Sequence, residues 1–156
     1  MMPRAPVEPE GTFAGLRASA IAFGAFVDVA ATVIAWTLLV LVLDPDALSG
    51  DEALRSGAAA QLYATTAYLV GNLAIGALAT VLGAFAGARR AGQLHIRHGG
   101  WVAVTSQAIG VLILALQPPP SPDPAAVTPL WVDVTAWLLV LPAGMAGGAL
   151  ARALRR

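Results

Sequence analysis

Four long apolar runs, none interrupted by more than one charged side chain, alternate along the chain with short stretches rich in proline, glycine and charge. The pattern predicts helices over about residues 18–43, 58–88, 99–116 and 130–151. Even the shortest would cover roughly 27 Å at about 1.5 Å per residue, close to the hydrocarbon thickness of a bilayer. Asp44-Pro45-Asp46 ends the first run, because the residue before a proline is pushed out of helical geometry. Ser49-Gly50-Asp51-Glu52 has capping-box spacing and predicts a short interfacial helix within an acidic loop of residues 44–57. Arg89 and Arg90 end the second run, and the stretch from Gln117 to Pro124 is expected to be a stiff, polyproline-like connector. Thr128-Pro129 reads as an N-cap followed by proline in the first turn. Residues 1–16 are proline-rich and mixed in charge, and are expected to form a disordered cytoplasmic tail ahead of a transmembrane domain of residues 17–156.

Inside the runs, the small residues recur at helical spacing. Asn72, Gly76, Thr80, Gly83 and Gly87 fall within a sector of roughly 80°. Arg17, Ala20, Gly24, Asp28, Ala31 and Ala35 share a face of the first helix; Gly100, Ala103, Gln107 and Gly110 share one of the third. In the fourth, Asp133, Gly144, Gly148 and Ala151 lie within about 60°, with Pro142 expected to bend the helix between them. A helix that is greasy on most sides and thin on one expects lipid around most of its surface and another helix against the thin face. Gly24, Gly76, Gly83, Gly87, Gly110, Gly144 and Gly148 are therefore the expected helix-packing residues. The predicted fold is all-α, an integral-membrane bundle of four transmembrane helices.

Composition and charge add environment and direction. Of the 156 residues 58% are hydrophobic and 12% charged, against about 25% charged in a soluble domain. The 26-residue first run is too long for the apolar part of a signal peptide and is expected to be a retained crossing. A formal net charge of zero gives no ground for a nucleic-acid partner, and the lack of cysteine removes disulfides, thiol catalysis and cysteine metal sites. All nine basic residues are arginine, a usage expected of a GC-rich bacterial genome. Eight of them lie in the N-terminal tail, the second connection and the C-terminus, while the first connection is acidic apart from Arg55. The positive-inside rule then places both termini in the cytoplasm of a bacterium, with the chain multi-pass in its plasma membrane. Arg89, Arg90, Arg97, Arg152, Arg155 and Arg156 are expected to set that topology and to meet lipid headgroups.

The polar residues within the runs need an explanation. Asp28 lies about 16 Å beyond Arg17 along its helix, and Asn72 and Gln107 fall at comparable depth. A carboxylate at mid-bilayer costs on the order of 3 kcal/mol to insert, so Asp28 should face the bundle rather than lipid. A protonated Asp28 could donate to the side-chain carbonyl of Gln107 or Asn72, and the three are expected to form an intramembrane polar cluster. Asp133 sits near a helix N-terminus, where the dipole already accounts for a negative charge. His95 and His98, three apart and without a carboxylate or thiolate nearby, make a poor metal site and are expected to be interfacial side chains near lipid phosphates. No metal or cofactor is expected.

The run from Gly83 to Gly92, with Ala-Arg-Arg-Ala-Gly at its end and His98-Gly99 following, resembles small uncharacterised bacterial four-helix membrane proteins. That resemblance implies a fold and a membrane and carries over no chemistry. In outline, Asp28 is also similar to the acidic residue in the first helix of small multidrug transporters, four-helix proteins that use it for proton-coupled export. Those proteins have Glu in an aromatic-rich setting and tight loops; here Ala and Gly lie around the acid and a proline connector is long. The expected function is that of a non-enzymatic accessory or scaffold subunit, with the bilayer and a membrane-protein partner or a second copy as its contacts. The alternative is a small proton-coupled transporter that uses Asp28.

Overall fold

The computed structural model describes residues 13–43, 65–116 and 128–155 as four helices. These are α1 (Ala18–Leu43), α2 (Thr66–Ala91), α3 (His95–Leu116) and α4 (Leu130–Ala153). Each is long and apolar enough to cross a membrane. α1 and α4 keep essentially the bounds that hydropathy predicts, whereas α2 and α3 do not. α2 begins at Thr66, not near 58, because Thr65 is extended (φ −73°, ψ 140°) and its hydroxyl accepts the Tyr68 N–H at 3.2 Å. α3 begins at His95 rather than 99, since the link from α2 is only three residues long. Gly92 supplies its left-handed turn (φ 74°), closing α2 through an N–H bond to the Ala88 carbonyl. Before α4 it is Pro129, not Thr128, that holds the cap position, with no side-chain hydrogen bond, and the helix continues through Pro142. The expected interfacial helix near Ser49, the proline connector up to residue 127, Arg55 and Arg156 lie outside the described residues.

α2 is the hub. It packs against all three other helices, α3 also touches α1 and α4, and α1 and α4 meet only marginally. Alternating direction brings the start of α1, the end of α2, the start of α3 and the end of α4 together at one end, with Arg17, Arg89, Arg90, Arg97, Arg152 and Arg155. We call this the basic end.

Near it the helices touch through glycine. A Cβ on Gly83 would lie 2.6 Å from the Gly24 carbonyl oxygen, and one on Gly87 2.9 Å from that of Ala20, so α1 and α2 meet backbone to backbone. Gly144 stands equally close to Gly99 of α3, Gly148 abuts His95, and Gly147 presses against Val81 and Ala84 of α2. Here α3 departs from expectation. Its contact face runs through Gly99 and Ala103, while a Cβ on Gly100 would meet nothing within 4 Å. Two adjacent glycines differ by about 100° in direction, and hydropathy alone does not choose between them.

The interior is small and the exterior large. The biggest fully buried side chains are His98 and Val102, while Phe26, Leu78, Leu114 and Leu138 are each 69 or 70% exposed. A water-soluble bundle reverses that order; helices surrounded by hydrocarbon follow it, since burial of large apolar groups is no longer what drives association.

Phe13–Leu16, assigned by sequence to the tail, form a turn seated on α3. Phe13 packs against Trp101 with ring centroids 4.8 Å apart, and the Gln93 amide donates to the Gly15 carbonyl at 3.3 Å. The backbone N–H of Arg17 donates to His98 Nε2 at 3.0 Å, which leaves Nδ1 to donate to the Leu94 carbonyl at 3.2 Å. His98 is fully buried and His95 nearly so, which corrects their expected place among lipid phosphates. Each carries a fixed contact: His98 ties the N-terminal turn, and the backbone of His95 abuts Gly148. Arg89 and Arg90 stay exposed, over the rings of Phe85 (5.6 Å) and Phe23 (4.8 Å). Away from the basic end, Trp36 Nε1 donates to the Tyr68 hydroxyl at 2.6 Å beside buried Val40, pinning α1 to α2.

Candidate functional site

Beyond the glycine contacts the helices separate and leave a cavity of about 440 Å³. All four helices line it: Asp28, Val29, Thr32 and Val33 of α1; Asn72, Leu73, Gly76, Ala77 and Thr80 of α2; Ser106, Gln107, Gly110 and Ile113 of α3; and Val132, Asp133, Ala136, Leu139 and Val140 of α4, with Thr128 ahead of it. It runs from the middle of the bundle, where Asp28, Thr80 and Ser106 form a floor, toward the end away from the arginines, where Thr128 and Asp133 stand.

Asp28 reaches the floor because Gly83 lets α1 come in. A Cβ on Gly83 would lie 2.6 Å from the Asp28 Cβ and 2.9 Å from its backbone nitrogen. Thr80, one turn before Gly83 on the same face, donates its hydroxyl to Asp28 Oδ1 at 3.4 Å. Asp28 is 3% exposed, yet its Oδ2 has no hydrogen-bond partner; the Ser106 hydroxyl is equally without one. A buried polar atom left unpaired costs on the order of 1–3 kcal/mol, and such atoms concentrate where a protein has use for them.

Asp28, Asn72 and Gln107 therefore line one cavity, but they are not bonded as expected. Among the described residues the carboxyl is bonded to Thr80, and the two amides are half-buried on the cavity wall. A shorter side chain at contact distance has taken the place of the longer amides. Gly76 and Gly110 also need correction as packing residues. A Cβ on either would meet nothing within 4 Å, and both open onto the cavity. Gly24, Gly83, Gly87, Gly144 and Gly148 lie at helix contacts. Sequence reasoning passed over Ser106, which sits three residues after Ala103 on the true inner face of α3. Asp133, for which the sequence reading needed only the helix dipole, lines the mouth of the same cavity and gives it a second acid.

The electrostatics are one-sided. Among the described residues the lining holds two carboxyl groups, two amides and four hydroxyls, and no arginine or histidine. A groove between the outer parts of α3 and α4 adjoins it, sharing Gln107, Gly110, Ile113, Asp133 and Ala136 and adding Val111, Leu114 and Trp137. Among the described residues no three histidine or acidic side chains gather as a metal site would require.

Comparison with family models, with curated proteins and with solved structures finds no match for this chain.

Proposed function

We propose that this chain is a multi-pass protein of a bacterial plasma membrane, with both termini and the basic link between α2 and α3 in the cytoplasm. We further propose that it binds a small solute in the cavity above Asp28, whose carboxyl holds either the solute or a proton. The orientation rests on the six arginines clustered at the basic end. One observation carries the function: an acid buried at mid-bundle keeps an oxygen unpaired and turned toward a space of about 440 Å³, within the usual range of small-molecule sites. Intramembrane acids are costly and tend to mark substrate, ion or proton pathways. The described lining offers carboxyl groups and hydrogen-bonding amides and hydroxyls, which suits binding and carriage of a small solute.

Proteoliposomes holding a pH-sensitive dye test the reading. Solutes drawn from a panel of cations, anions and neutral compounds should dissipate an imposed pH gradient through the parent protein and not through Asp28→Asn. A panel without any solute-dependent dissipation, or an Asp28→Asn variant equal to the parent, removes the proposal.

The accessory-subunit reading keeps one observation in its favour. Val111, Leu112, Ile113, Leu114 and Leu116 of α3 are all exposed, a longer unpartnered stretch than lipid contact on one side requires. Native mass spectrometry after extraction in mild detergent tests it: a lone chain with nothing co-purifying rules it out, and a second copy or a stoichiometric membrane partner supports it.

A further inference from the structure

We infer that the cavity is a site for a small primary ammonium ion with an apolar body, reached sideways from the acyl chains through the groove between α3 and α4. This rests on the reading of the cavity as a solute site and names the solute's chemistry. Three observations converge on it.

Charge comes first. Of the helices packed around the floor, α1 and α4 each add one titratable group to the lining, Asp28 and Asp133, while α2 and α3 add amides and hydroxyls. A cation meets attraction from both acids, and none of the described lining residues carries a positive charge to repel it. An anion meets the reverse, which also argues against a phospholipid headgroup that carries phosphate beside its amine.

Hydrogen-bond valence comes second. Asp28 Oδ2 and Ser106 Oγ are buried neighbours on facing helices of one floor, and neither has a partner at full hydrogen-bond geometry. Next to them stands the Gln107 amide, whose carbonyl can accept. A primary ammonium carries three N–H donors and can meet all three acceptors at once. A quaternary ammonium has the charge and no donor. The apolar wall, from Val29 and Val33 to Leu139 and Val140, would take the hydrocarbon part.

The route comes third. Gly110 lies on the border between cavity and groove, with open space where a side chain would stand. Trp137 and Leu114 continue the groove outward, both largely exposed. An amphiphile already dissolved in the membrane reaches Asp28 along this surface without crossing water.

Equilibrium binding to the full chain in phosphatidylcholine nanodiscs decides the class, with empty nanodiscs subtracted. The probes are phenethylamine, its N,N,N-trimethyl derivative, 2-phenylethanol and 3-phenylpropionate. Phenethylamine should bind about tenfold or more tighter than the alcohol and several-fold tighter than the trimethyl compound, as hydrogen bonds to a charged group imply. Asp28→Asn should lose about tenfold or more, and Ser106→Ala, which serves should the first variant fail to fold, a few-fold. Equal affinity for amine and alcohol, or amine binding indifferent to both substitutions, overturns the ligand class. Adding phosphatidylethanolamine to the nanodiscs should leave phenethylamine affinity unchanged; strong competition would make the lipid headgroup the ligand and overturn the free amine. Gly110→Leu should slow association about tenfold, and an unchanged rate overturns the lateral route. The carriage reading fails separately: selective amine binding without dissipation of a pH gradient removes transport and keeps the site. Gradient dissipation by an uncharged solute does the opposite.

Discussion

Toward the basic end, the glycines on the contact faces meet backbone; farther along, Gly76 and Gly110 meet empty space, while Gly71 packs against the Leu39 side chain. Gly24, Gly83, Gly144, Gly147 and Gly148 sit where a single carbon would collide with a neighbouring helix, while Gly76 and Gly110, on the same kinds of face, border a cavity. The residue is the same and the local helix is the same. What differs is whether the axes converge. The closed half is locked by Gly24 against Gly83 and Gly99 against Gly144, and by the His98 tie beneath them. Among the described residues the open half is held at its rim by Trp36 and Tyr68 around buried Val40 and by Leu39 against Gly71. Rigidity is thus gathered at one end, and the acid stands where closed turns to open.

The sharpest way to break this contrast is to force a side chain into the closed half. Gly83→Leu should cost about 3 kcal/mol or more through overpacking, because the atoms it meets are backbone and cannot swing aside. Thermal unfolding in detergent should show a large fall in melting temperature or no folded protein. His98→Ala comes next. It leaves the Arg17 N–H unpaired and opens space under the N-terminal turn, for a loss of about 1–3 kcal/mol and faster amide exchange confined to residues 13–17. Asp28→Asn should move the other way. The new amide can donate to Ser106 while its oxygen still accepts from Thr80, so stability should rise by about 1 kcal/mol as binding is lost. A fall in melting temperature would mean that Asp28 is a structural staple. The smallest effect belongs to Gly76→Ala and Gly110→Ala, which should lie within about 1 kcal/mol of the parent, on the stabilising side, because alanine favours helix and nothing obstructs it. If either proved as damaging as Gly83→Leu, the far half would be as tightly closed as the near one.

Hydropathy carried the four helices and the burial of Asp28, since both follow from the cost of polar groups in an apolar surrounding. The contact faces of α1, α2 and α4 were legible for the same reason: a small residue at every turn marks where helices approach. The face of α3 was not, because Gly99 and Gly100 both satisfy the pattern and only the partner helix selects one. Nor was the partner of Asp28. Composition favoured the long amides of Asn72 and Gln107, whereas the bond went to Thr80, whose reach suits a pair of helices already drawn together by Gly83. The cavity itself could not be read from periodicity, because divergence of helix axes leaves no mark in a single strand of small residues. His98 misled for a different cause: its partner is the main chain of Arg17, and a backbone donor has no letter in the sequence.

The central position of α2 bears on how the protein is made. On the proposed membrane topology, α1 and α2 can zip together as soon as the second helix has been synthesised, since their contact needs nothing downstream. α3 then follows with Gly99 bare, and stays so until α4 covers it with Gly144 and Gly148. A nascent chain halted before Leu130 would show quality-control proteases an uncovered seam, and only the completed fourth span would hide it.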